Sequence, residues 1–227
     1  MIANFIVHAA LAIVPVILAI TLHEAAHGYA ALALGDTTAR DRGRLSLNPL
    51  RHIDKTGTIV LPGILLITQL LTIHRVAFMF GWAKPVPVSA WKFAHPRRGM
   101  AVVAIAGPAM NFFLAWLSAL AIRMTTDAGM NSTWSTILFD FMLVNLVLGL
   151  FNLLPIPPFD GGRVVAGFLS DDLARGWAKL ERYGLMIVLI ALLVLPNVFD
   201  INPVGDALGV ILPRAFHIVF WLAGYHE

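Results

Sequence analysis

Residues 4–34 form one long apolar run that carries a polar knot at His23, Glu24 and His27. At about 1.5 Å per residue, a helix of that length exceeds the roughly 30 Å hydrocarbon core of a bilayer. Further apolar segments follow at 58–73, 99–122, 134–154, 183–196 and 207–224. The expected fold is therefore an all-α, multi-span integral membrane protein with five to six apolar segments, organised as a single domain over 1–227. Composition agrees: 13% of the residues are charged, against about a quarter in an ordinary soluble domain, and mean hydropathy is +0.80. The run at 4–34 is too long for the central region of a cleaved signal peptide, and no Lys or Arg precedes it.

The net charge of +3 is explained by topology rather than by a nucleic-acid partner. Arg40, Arg42, Arg44, Arg51 and Lys55 fill the connector after the first span, and Arg75, Lys84, Lys92, Arg97 and Arg98 fill the one at 74–98. Arg163, Arg175, Lys179 and Arg182 follow 134–154. Such connectors face the cytoplasm. Cysteine is absent, so neither a disulfide framework nor a thiolate ligand is available. A tightly held transition metal must sit on His and carboxylate.

His23-Glu24-Ala25-Ala26-His27 supplies that chemistry. The i, i+4 spacing puts both imidazoles on nearly the same helix face, where they can bind one zinc ion. Glu24 lies beside them, in reach of a water the metal activates, and fits a general base. Burying Glu and two His in an apolar span costs several kcal/mol unless they are paired or metal-bound. A catalytic zinc ordinarily takes three protein ligands, so a third must come from elsewhere. Asp160 is the best candidate. It follows Pro155, Pro157 and Pro158, which end the 134–154 helix, and precedes Gly161-Gly162, which permit close backbone approach. Asp140 lies at the opposite end of that span and is expected at the other membrane face. The Pro155–Phe159 run is expected to be extended, with backbone groups available to a substrate strand.

These residues resemble the site-2 protease family of membrane-embedded zinc metalloproteases. The resemblance rests on the His23-Glu24-x-x-His27 helix, on Gly107-Pro108-x-x-Asn111, and on Asn152-x-x-Pro155-x-Pro157-x-x-Asp160-Gly161. It extends through Gly43-Arg44-Leu45-x-Leu47-Asn48-Pro49 and Gly81-Trp82-Ala83-Lys84-Pro85-Val86-Pro87-Val88, as in the compact bacterial branch without added soluble domains. The resemblance implies an intramembrane zinc endopeptidase that acts on transmembrane segments of membrane-protein substrates, in regulated intramembrane proteolysis. One catalytic Zn2+ would be held by His23, His27 and Asp160, with Glu24 as base. The expected location is the bacterial inner membrane, with the site near the cytoplasmic face. The catalytic core would cover about 4–165, and the segments at 183–224 would complete the C-terminal part. The resemblance also implies substrate or oxyanion roles for Asn111 and Asn152; helix–helix hydrogen bonding explains either residue equally well.

Shared coordination constrains the topology further. If His27 and Asp160 meet one ion, the C-terminal ends of 4–34 and 134–154 lie on one membrane side. Since 99–122 and 134–154 make one round trip, residues 35–98 must begin and end there too. The 16 residues of 58–73, interrupted by Pro62 and Gly63, are therefore expected to be re-entrant. Residues 207–224, broken by Pro213 and Arg214, fit either a kinked span or an interfacial helix. The rival from another class is a metal transporter or metal-binding scaffold, in which the same buried groups would line an ion path.

Overall fold

The computed structural model describes residues 2–72, 74–75, 81–127 and 132–226, and every regular element among them is helical. Helix α1 spans Ile2–Ala33. Helix α2, Lys55–Thr72, opens with a π-helical turn. Helices α3, Pro96–Asp127, and α4, Ser132–Asn152, form the central pair. Two shorter helices follow, α5 over Asp160–Phe168 and α6 over Asp171–Glu181. Helix α7 covers Gly184–Phe199 and meets α6 at a bend of 66°; α8 covers Pro203–Leu222. Five of these helices are long and apolar enough to cross a membrane, or six if α6 and α7 form one broken span. The chain is a multi-pass membrane protein.

Small residues set the packing. Ala115 and Ala119 of α3, both fully buried, let Met142 and Leu146 of α4 and Val219 and Ala223 at the end of α8 close into one core. In lipid, helix association relies on such close backbone approach because tails are as apolar as leucine. Helix α8 is thus docked on the bundle, and Trp116 Nε1 and Arg123 Nη1 donate to the carbonyls of Leu222 and Ala223. Of the two readings for 207–224, its 20-residue length and this packing match a helix of membrane-crossing length.

Helix α2 qualifies the re-entrant expectation. Asp54 caps it by accepting from the N–H groups of Thr56 and Gly57, and residues 58–72 then continue as one unbroken helix; residue 73 lies outside the described residues. The chain nevertheless returns to its starting point: Trp82 N–H donates to Gly57 O (3.2 Å), and Thr58 Oγ1 donates to Trp82 O (2.9 Å). The excursion begins and ends at the same place, and residues 55–72 within it form a helix of membrane-crossing length.

A buried clasp fixes the loop after α1. Asp36, fully buried, accepts from Ser89 N–H (2.6 Å), from Thr38 N–H and Thr38 Oγ1, and pairs with Lys92 Nζ at 3.1 Å. Burial alone would raise its carboxyl pKa, but the donors from Ser89, Thr38 and Lys92 outweigh burial and lower it to about 2. A carboxyl depressed below its unfolded value stabilises the fold above that value and loses the contribution as pH falls through the folded one. Wild-type thermal stability in detergent is therefore expected to decline between about pH 4 and pH 2. Asp36→Asn should cost about 2 kcal/mol at neutral pH and flatten that decline. Parallel acid profiles for the two proteins would refute this role.

Candidate metal centre and active site

Two helices, α1 and α5, bring His23, His27 and Asp160 together. Both histidines project from one face of α1, as their i, i+4 spacing dictates, and Asp160 is the first residue of α5. The ligand atoms form a nearly equilateral triangle. Nε2 of His23 lies 3.0 Å from Nε2 of His27, and Asp160 Oδ2 lies 3.1 and 3.2 Å from the two nitrogens. All three residues are buried, and among the described residues this is the one group of His and carboxylate side chains close enough to hold an ion.

The hydrogen-bond network sets the protonation of the rings. Asn145 Nδ2 donates to Phe141 O, which leaves Asn145 Oδ1 to accept from Asn111 Nδ2 at 2.9 Å. Asn111 Oδ1 therefore faces His23 and accepts from Nδ1–H at 2.6 Å. His27 Nδ1–H likewise donates to Val103 O at 2.7 Å. With both protons on Nδ1, the two Nε2 lone pairs and a carboxylate oxygen converge on one point. Asp160 Oδ2 is buried without a hydrogen-bond donor. Such an arrangement repels itself unless a cation sits within it.

The donor set fits zinc. A tetrahedral ion with bonds of 2.0–2.1 Å needs ligand atoms about 3.3 Å apart, close to the observed triangle. Helix α3 also leaves room for it. A Cβ on Gly107 would lie 2.5 Å from His27 Nε2 and 2.6 Å from His23 Nε2, so only glycine leaves that space open.

Beside the triangle lies a cavity of about 520 Å³, bounded by α1, α3, α4, α5, the start of α7 and the 81–88 segment, with Glu24 and Asn152 in its wall. Glu24 Oε2 accepts from Val86 N–H at 3.0 Å. Asn152 Nδ2 donates to Leu148 O one turn back and keeps its second amide hydrogen. Asn111 lies elsewhere: fully buried, with both ends of its amide engaged by His23 and Asn145. Asp140 is exposed and outside the cluster. The expectation of an extended Pro155–Phe159 run is corrected by the structure, in which the run is a series of turns. Its three prolines lack N–H groups, Ile156 N–H donates to Leu154 O, and Phe159 N–H donates to Ile156 O, so no donor remains for a substrate strand. Gly161 and Gly162 serve this fold-back, since a Cβ on Gly161 would lie 2.3 Å from Leu153 O and one on Gly162 2.8 Å from Pro157 N.

Three participants escape sequence reasoning: Asn145, Val86 and Asp36. Only Asn145 leaves a signal, as an amide in an apolar span that must find a partner.

A bundle of membrane-length helices with a buried His–His–Asp group beside a cavity defines a membrane metalloprotein. The profile of peptidase family M50 matches residues 121–195. YwhC of Bacillus subtilis, whose name describes a zinc metalloprotease, is 36% identical over 184 residues, which cover 78% of each chain. Rip2 of Mycolicibacterium smegmatis, named in the same way, is 30% identical over 178 residues, covering 78% of this chain and 64% of its own. Rip2 of Mycobacterium tuberculosis is 27% identical over 217 residues, covering 90% and 80%. No solved structure matches. The chain belongs to peptidase family M50, the site-2 protease family, and is a zinc metalloendopeptidase.

Proposed function

We propose that this metalloprotease hydrolyses peptide bonds within or beside transmembrane segments of membrane-protein substrates, the chemistry of regulated intramembrane proteolysis. The observation that carries the reading is the 3.0–3.2 Å triangle of His23, His27 and Asp160, opening on a cavity inside helices of membrane-crossing length. In this reading those three residues hold the zinc. When bound, zinc supplies Lewis acidity, acidifying water toward neutrality and polarising the scissile carbonyl.

Glu24 takes a proton from the attacking water and delivers it to the leaving amide nitrogen, so that one water adds across the bond to give a carboxylic acid and an amine, which leave as carboxylate and ammonium. Asn152, in the cavity wall, holds the substrate or donates to the developing oxyanion. Asn111 is assigned a different task from the one its motif implies. Fully buried and outside the cavity wall, with its amide spanning from His23 to Asn145, it orients His23 and fixes its tautomer. The basic connectors at 35–56, 74–98 and 163–182 support a site near the cytoplasmic face of a bacterial inner membrane.

The test uses purified protein reconstituted in vesicles. The expected result is about one zinc per chain, cleavage of a lipid-embedded transmembrane segment, arrest by a chelator and recovery on returning zinc. Zinc flux across the vesicle without cleavage would overturn the reading and favour a transporter. Cleavage confined to water-soluble peptides would overturn the membrane substrate.

A further inference from the structure

The segment 81–89 is an irregular strap that lines the cavity and touches α1 at Glu24 and Gly28, and it is anchored on both sides of its middle. Upstream, Lys84 N–H donates to His52 O (2.9 Å) and Arg44 Nη2 donates to Lys84 O (2.7 Å). Downstream, Ser89 N–H donates to the buried Asp36 carboxylate (2.6 Å). Between these anchors Val86 is 7% exposed and rests against α1. Its seat is Gly28, one helical turn beyond Glu24 on the same face, where an added Cβ would lie 3.2 Å from Val86 Cγ1.

The sequence of the strap restricts what it can donate. Pro85 and Pro87 have no N–H, so Val86 carries the single amide donor in the Pro-Val-Pro stretch. That donor is committed to Glu24 Oε2 at 3.0 Å. The other oxygen, Oε1, has no partner among the described residues, and the side chain stands in the cavity wall.

We propose that the strap positions the base: the Val86 N–H clamps one oxygen of Glu24 and holds the other ready for the water proton, while the flanking prolines offer no N–H of their own to compete for it. The inference rests on Glu24 being the base. A glutamate has three side-chain torsions, and a proton acceptor must stand within hydrogen-bond reach of its proton; a clamp from a pinned backbone removes the search. Val86 is a positioning residue, acting through its backbone.

The experiment compares Val86→Pro, which deletes the N–H, with Val86→Ala, which keeps it. Turnover, KM, zinc content and the visible absorption of the cobalt-substituted enzyme are measured on the reconstituted full chain. Misplacing a catalytic group by about 1 Å costs on the order of 100-fold. Val86→Pro is therefore expected to lower kcat about 100-fold, with KM within about twofold and the zinc content and cobalt spectrum of wild type. Val86→Ala should lose less than about threefold, since the donor remains. If Val86→Pro fails to fold, an amide-to-ester replacement at residue 86 removes the same hydrogen and is judged by the same values. A kcat within about threefold of wild type, a raised kcat, or loss of zinc overturns the positioning role. Glu24→Gln separates the two readings. Activity in that variant sinks the assignment of the base itself, whereas an inert Glu24→Gln beside a fully active Val86→Pro sinks the strap alone.

Discussion

Asp160→Ala is expected to lose zinc and turnover together. The substitution leaves two imidazoles where a catalytic zinc ordinarily has three protein ligands. It also removes the one anion among the three atoms of the triangle, whose charge compensates for taking a divalent cation out of water. Metal content should fall from about one to below about 0.1 per chain in buffer of fixed free zinc, with cleavage below detection. Gly107→Ala tests the same centre without deleting a ligand. Its Cβ would intrude to 2.5–2.6 Å from both Nε2 atoms, inside the space the ion needs, so it should empty the site as thoroughly. Retention of stoichiometric zinc by Asp160→Ala would show that another residue completes the coordination.

Glu24→Gln should separate chemistry from metal binding. Glutamine matches glutamate in shape and its amide oxygen still accepts from Val86 N–H, so neither the α1 helix nor the three ligand atoms need move. What disappears is the proton acceptor. General base catalysis contributes about 10²- to 10⁴-fold, and kcat is expected to fall by that order while zinc stays near one per chain. Single-turnover cleavage beside metal analysis gives the answer. A variant that cleaves like wild type would remove Glu24 from the mechanism and direct attention to another acceptor in the cavity wall.

The parts of the molecule legible in advance depend on neighbours along the chain. Apolar runs announce the membrane-length helices because the bilayer demands about 20 apolar residues per crossing. The i, i+4 pair at His23 and His27 shares a face in any α-helix. Prolines at 155, 157 and 158 end α4 wherever that helix lies. The return of the chain to Gly57 by Trp82 was also accessible, through the parity of crossings, although the unbroken form of α2 was not. Local sequence does not distinguish a helix that leaves and is followed by a return from a bend inside it.

One expectation is corrected by the structure, and another stays open in the sequence for a related reason. Proline excludes helix from Pro155–Phe159 and so suggests an extended run, yet its two remaining donors, Ile156 N–H and Phe159 N–H, close it into turns on Leu154 O and Ile156 O. Asn111 carried two readings of equal weight because a buried amide advertises a need for partners without saying which. Only the packing of α1, α3 and α4 brings His23 Nδ1 and Asn145 to its two ends, across separations of 88 and 34 residues.

The apolar spans, the helix that aligns two imidazoles and the proline-broken entry to Asp160 were determined by the sequence alone, since each follows from backbone geometry within a few residues. The triangle of donor atoms, the tautomers that aim them, the Asp36 clasp and the tie between Val86 and Glu24 were decided by the tertiary structure. Those contacts reach across as few as 53 positions, from Asp36 to Ser89, and as many as 137, from His23 to Asp160, and such an interaction is specified by distance and direction, which exist only once the helices have packed.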